Sequence, residues 1–204
     1  MHIGIDFDNT LAGYDHLFLR VAKDWGLVPD AFVGGKKAVR DAVRRREDGE
    51  RHWMRLQAEV YGVRIAEAEL IDGARDFMLA CRRNGVSVAV VSHKTQYAAS
   101  DPNGVDLHKV SLAWMADQGF FDNVGVALPF DQVYFEPTRD SKCKRIGALG
   151  CDHFIDDLEE VFLDPAFPDG VNRILLDLGK VRPCGPFTTY PNWQAVHDAF
   201  FAAV

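Results

Sequence analysis

Three short apolar runs in this chain each stop on polar residues that chemistry can use, and stretches of helical length separate them. His2–Phe7 runs into Asp6-Phe7-Asp8-Asn9-Thr10, Val86–Val91 stops at Ser92, and His153–Ile155 stops at Asp156-Asp157. Short β-prone runs alternating with amphipathic runs of about ten residues or more predict right-handed crossovers and a parallel sheet covered on both faces. The expected fold is α/β, a doubly wound parallel sheet. In such sheets ligands bind beyond the carboxyl ends of the strands, so Asp6, Asp8, Ser92, Asp156 and Asp157 are all expected on one edge.

The remaining pattern fits that frame. From Asp15 to about Leu70 the periodicity is helical, with Leu17, Val21 and Trp25 on one face and later Trp53, Leu56, Val60 and Tyr61. Breaks at Gly26, Pro29, Gly34-Gly35 and Gly62 divide it into a small all-helical insert. A helix from Asp72, carrying Phe77, Met78, Leu79 and Cys81, is closed by Asn84-Gly85 ahead of the run Val86–Val91. Beyond a loop at Ser100–Gly104, helices are expected near Leu107–Gln118, Ser141–Leu149 and from about Asn192, and strands near Gln132–Phe135 and Arg173–Leu176. The expected division is a core of residues 1–13 and 71–204 with an insert at about 14–70.

Composition restricts the function classes. With 204 residues, 48% of them hydrophobic and 26% charged, the chain has the balance of an ordinary folded protein. A formal charge of −7 argues against a nucleic-acid polymer or an anionic membrane as partner, since both need a positive footprint. The exception is Val33–Leu56, where Lys36, Lys37, Arg40, Arg44, Arg45, Arg46, Arg51 and Arg55 face only Asp41, Glu47, Asp48 and Glu50. This reads as a solvated helix face or as a surface that attracts an anionic substrate. Cys81, Cys143, Cys151 and Cys184 lack metal-binding spacing and are expected as reduced thiols. The first residues carry acids where a secretion signal needs an apolar run, and no stretch has the length of a membrane span; the expected location is cytoplasmic.

Asp6 and Asp8 from one loop and Asp156 and Asp157 from another would make a strongly negative, oxygen-rich site, stable only with a hard divalent cation, for which Mg2+ fits best. A carboxylate beside such a cation can attack phosphorus, and a second one two residues on can protonate the leaving oxygen. A hydroxyl and an ammonium should flank the phosphate, and Ser92 and Lys142 can supply them. Each signal also has a plainer reading. Asp6-x-Asp8-x-Thr10 is compatible with turn chemistry, and Asp156-Asp157 with capping of a helix near Leu158. His93 and Lys94 follow Ser92 and are candidates for substrate contact or for structure alone. Trp25, Trp53, Trp114 and Phe77 read as core.

Taken together, these residues resemble the four motifs of the haloacid dehalogenase-like superfamily of phosphohydrolases, in order. DxDx[T/V] is matched by Asp6-Phe7-Asp8-Asn9-Thr10, the strand-ending Ser or Thr by Ser92, the lysine opening a helix by Lys142, and the strand ending in acids by Asp156-Asp157. The resemblance implies a Rossmann-like core with a helical cap inserted between the first and second motifs. It implies Asp6 as nucleophile and Mg2+ ligand, and Asp8 as general acid/base that also ligates through its backbone carbonyl. Asp156 is then a further ligand and Asp157 a supporting one, while Thr10, Ser92, His93, Lys94 and Lys142 are the candidate substrate contacts. Lys144 competes with Lys142 for the lysine role; Ser141-Lys142 opening the helix favours Lys142. An aspartate at the Asp8 position favours phosphate esters, so the expected activity is a Mg2+-dependent phosphatase for a small phosphorylated substrate, acting through an aspartyl phosphate. A phosphotransferase or mutase and a silent binder of a phosphorylated ligand are the alternatives. Oligomeric state is not legible.

Overall fold

The structure is a computed structural model, and it describes residues 1–101, 104–178 and 185–202. Cys184, and Pro102 and Asn103 of the expected loop 100–104, lie outside the described residues. The strands are β1 (His2–Ile5), β2 (Ala12–Gly13), β3 (Glu69–Leu70), β4 (Ser87–His93), β5 (Val133–Glu136), β6 (His153–Asp156), β7 (Asn172–Leu176) and β8 (Thr188–Tyr190). The helices are α1 (Asp15–Asp24), α2 (Lys36–Arg44), α3 (Gly49–Ala58), α4 (Ala74–Arg83), α5 (Leu107–Asp117), α6 (Arg139–Ala148), α7 (Glu159–Phe162) and α8 (Trp193–Phe201).

The main sheet has the order β5-β4-β1-β6-β7-β8, with every neighbouring pair parallel. It is an α/β, Rossmann-like sheet flanked by helices, as the strand and helix alternation predicts. β1 is central: Ile3 and Ile5 align with Val88 and Val90 of β4 on one side and with His153 and Ile155 of β6 on the other. The strand order reverses direction around β1, so the crevice at its carboxyl end lies at the switch point of the sheet.

Alternation along the strands sets the two faces. Phe154 belongs to a buried cluster with Val91, Leu175, Cys143, Ile146, Val161, Phe162 and Phe167, which places α6 and α7 on its side. Its neighbour His153 points the other way and meets Phe200 of α8 at 4.9 Å between ring centroids. There Phe77 of α4 packs against Trp193 and Phe200, at 5.1 and 5.7 Å. Gly4 aligns with Phe154, and a Cβ added at Gly4 would stand 2.5 Å from the Phe154 ring, so β1 needs glycine there to let the ring lie across it.

The chain divides into two compact units, Met1–Ala12 with Leu70–Lys94 and Met115–Val204, and Gly13–Glu69 with Thr95–Trp114. The first holds the sheet. The second is built by α1, α2 and α3, which bury Leu17, Phe18, Val21, Val39, Val43, Trp53 and Leu56. Phe18 stacks on Trp53 at 5.1 Å, Tyr61 meets Tyr14 and Phe18 edge-on, and the Trp114 indole donates to the Ala68 carbonyl at 3.0 Å. Trp25 corrects one expectation. It follows the last residue of α1, so extending the helical period to it fails, and it stands 38% exposed with the Arg55 guanidinium 5.9 Å from its ring.

Several of the basic residues in 36–55 serve this unit's own structure. Arg44 pairs with Glu50 and Arg40 with Asp41, Arg46 donates to the Leu27 carbonyl, and Lys36 lies over the Phe18 and Tyr61 rings. Cys81, Cys143 and Cys151 are buried free thiols. Among the described residues, no helix is long and apolar enough to cross a membrane.

Candidate active site

β1 ends where its ladder makes one further bond, from the Asp6 N–H to the Ile155 carbonyl at 2.9 Å. The chain then turns sharply. Leu11 and Ala12 both donate to the Phe7 carbonyl, and Asn9 takes a left-handed φ of 60°, which asparagine tolerates better than most residues. This turn carries Thr10 back to Asp6, where its hydroxyl donates to Asp6 Oδ2 at 3.3 Å. The Thr10 carbonyl in turn accepts from the Trp193 indole of α8 at 2.9 Å, which fixes the loop to the sheet unit.

Lys142 is the hub of the buried charges. Its ammonium lies 2.6 Å from Asp6 Oδ1 and 2.6 Å from Asp156 Oδ2, and all three side chains are nearly or fully buried. The expected helix start is corrected. α6 begins at Arg139, because Thr138 and Ser141 form a reciprocal cap: Ser141 N–H donates to Thr138 Oγ1 at 3.0 Å and Thr138 N–H to Ser141 Oγ at 3.2 Å. Lys142 therefore stands in the first full turn rather than at the helix opening. Lys144, its rival, is exposed and paired with Asp140 at 2.7 Å.

Asp156 ends β6, and its second oxygen accepts from the Leu158 N–H at 3.0 Å; α7 starts at Glu159 without a side-chain cap. One oxygen each from Asp6, Asp156 and Asp157 lies within 4.8 Å of the others. Ser92 is buried near the end of β4, at the neighbouring strand end. Three further candidate residues, Asp8, Lys94 and His93, have partners outside the Lys142 bridge. The Asp8 carboxylate is held by Lys94, whose ammonium is 3.0 Å from Oδ1 and 2.9 Å from Oδ2. His93 is exposed, and its ring Nε2 donates to the Pro137 carbonyl at 3.2 Å. No local sequence signal predicts the Lys94–Asp8 pair, whose members are 86 residues apart.

Lys142 thus bridges Asp6 and Asp156, Lys94 holds Asp8, and Asp157 places a further carboxylate oxygen beside the bridge. The carboxyl of Asp6 responds most: burial, reinforced by the nearby Asp156 and Asp8, pushes it up to about 7 against the opposing pull of Lys142. Burial acts to lower the Lys142 ammonium, yet Asp156 and Asp6 hold it above its ordinary value. An all-oxygen donor set suits a hard divalent cation, and among the described residues Asp6, Asp156 and Asp157 are grouped closely enough to hold one.

No family model matches the chain, and no curated protein matches it. Solved structures do. A HAD family hydrolase from Deinococcus radiodurans R1, with bound phosphate and sodium, is 14% identical with a TM-score of 0.60, and the match covers 98% of this chain and 94% of that one. This is the haloacid dehalogenase-like fold. YfnB of Bacillus subtilis, a candidate HAD hydrolase bound to magnesium, shares it at 13% identity and a TM-score of 0.56, over 97% of each chain. So does Protein Tyrosine Kinase A of Mycobacterium tuberculosis, at 14% identity and a TM-score of 0.62, over 97% of this chain and 96% of that one. The haloacid dehalogenase-like fold is therefore the common element among proteins whose names differ, and chemistry has to be argued from the site.

Proposed function

We propose that this protein is a Mg2+-dependent phosphatase of small phosphate monoesters in which Asp6 is the nucleophile. The observation that carries the reading is the buried Asp6–Lys142–Asp156 bridge at the carboxyl end of the central strand, with Asp157 grouped beside it. Asp6, Asp156, Asp157 and the backbone carbonyl of Asp8 would hold the metal, which when bound supplies positive charge for the phosphate oxygens.

The chain's own residues then divide the work. Asp6 attacks phosphorus as the bond to the ester oxygen breaks, and Asp8 delivers a proton to that oxygen. The Asp8 carboxylate next takes a proton from water, whose oxygen attacks the same phosphorus and frees Asp6. Lys142 keeps Asp6 and Asp156 in place and, with the Ser92 hydroxyl, offers hydrogen bonds to the phosphate. Thr10 fixes the orientation of the Asp6 carboxylate through the contact to Oδ2. Substrate selection is assigned to the helical insert at residues 14–70 acting as a cap, a size that favours small metabolites over protein surfaces.

The test is phosphate release from a panel of phosphorylated metabolites and an aryl phosphate, with and without Mg2+, for the native chain and Asp6→Asn. Metal-dependent release that Asp6→Asn loses supports the reading. An Asp6→Asn variant of native activity contradicts it, as does activity that a chelator leaves untouched. A substrate consumed without free phosphate, its phosphoryl group appearing on another acceptor, would instead identify a transferase.

A further inference from the structure

We propose that Lys94 is a positioning residue for Asp8, holding its carboxylate in place through both proton transfers rather than contacting the substrate. This rests on the phosphatase reading above. Lys94 is the first residue beyond β4, and its N–H donates to the Glu136 carbonyl at 2.9 Å, so its backbone is tied to the neighbouring strand end. Its side chain is 3% exposed and passes over the Phe7 ring, with the ammonium 5.4 Å from the ring centroid. The ammonium lies at hydrogen-bond distance from both oxygens of Asp8, which an exposed lysine reaching for a ligand would not maintain.

The physical need is plain. Asp8 sits two residues beyond the nucleophile on a tight turn, beside three other carboxylates that compete for the same cation. A carboxylate left to rotate there would turn toward the cation and lose its line to the ester oxygen, and a misplacement of about 1 Å can lower a rate on the order of 10²-fold. An ammonium has three N–H donors, so it can keep a bond to the unprotonated oxygen of Asp8 whether or not the other carries the proton. The Lys94 end of the pair is buried, so removing Asp8 would strand the ammonium in the interior.

The experiment uses the full chain and two substrates that differ in their demand for a proton: an alkyl phosphate, whose alkoxide leaves poorly, and p-nitrophenyl phosphate, whose phenolate leaves unaided. For Lys94→Met we expect kcat/KM, which reports the first transfer to Asp6, to fall on the order of 10²-fold for the alkyl ester and by less than about tenfold for the aryl ester. A rise in KM of about tenfold or more with kcat retained would make Lys94 a substrate contact and overturn the proposal; an equal loss of kcat/KM on both esters would also overturn it. Urea unfolding of Lys94→Met, Asp8→Ala and the double variant reads the pairing without activity, and a coupling on the order of tenfold in the unfolding constant is expected. Additive effects would overturn the pairing. A native chain that hydrolyses no ester sinks the phosphatase reading itself, and the unfolding cycle then still decides whether Lys94 holds Asp8.

Discussion

Asp6 is a carboxylate that the fold buries in spite of its charge, and this has a consequence for stability. In the unfolded chain its pKa is the ordinary 3.8, and burial raises it to about 7 in the folded one. Between those values the folded state holds a proton that the unfolded state has lost, so stability falls as pH rises through the window and the whole penalty is present above about pH 7. Asp6→Asn removes the charge with little change of shape. In the presence of chelator, its Tm should exceed that of the native chain at pH 8, and the difference should shrink as pH falls from about 7 and be gone below about 4. A variant less stable than native at pH 8 would show that the contact with Lys142 outweighs the burial. Of the candidate residues, those at strand ends were legible in the sequence, because an apolar run that stops on an acid marks its own position. The partnership of Lys94 with Asp8 was not, since only the parallel pairing of β4 with β1 brings those loops together.

The elements divide in the same way. β1, β4, β6 and β7 are apolar enough to be read directly, whereas β8 spans three residues, Thr188–Tyr190, between a glycine- and proline-containing stretch and a helix, and its strand character comes from pairing with β7. The start of α6 is hidden in the sequence because Thr138 and Ser141 cap it with two hydroxyls, where the usual signature has a Glu or Gln as the second member. Gly4 shows how one strand depends on another. Alanine there would meet the Phe154 ring at 2.5 Å and the Cys151 sulfur at 3.1 Å, so Gly4→Ala should destabilise by about 1–3 kcal/mol in chemical denaturation. Phe154→Leu made in the same chain should recover part of that loss. A Gly4→Ala variant as stable as native would show that the ring can move aside.

For the whole molecule, a net charge of −7 and three carboxylates grouped at one strand edge make a cation the natural complement of the proposed chemistry. The three structural likenesses, at 13–14% identity, extend over 97–98% of this chain and concern the fold. The proposed activity turns on a single bond, between phosphorus and an oxygen of Asp6. It can be caught directly by acid-quenching the native chain during Mg2+-supported turnover and treating it with borohydride, which reduces an acyl phosphate but leaves a free carboxylate alone. Peptide mass spectrometry should then find residue 6 converted to homoserine, dependent on substrate and on metal. Turnover with no modified residue, or with the modification at Asp8 or Asp156 instead, would contradict the account.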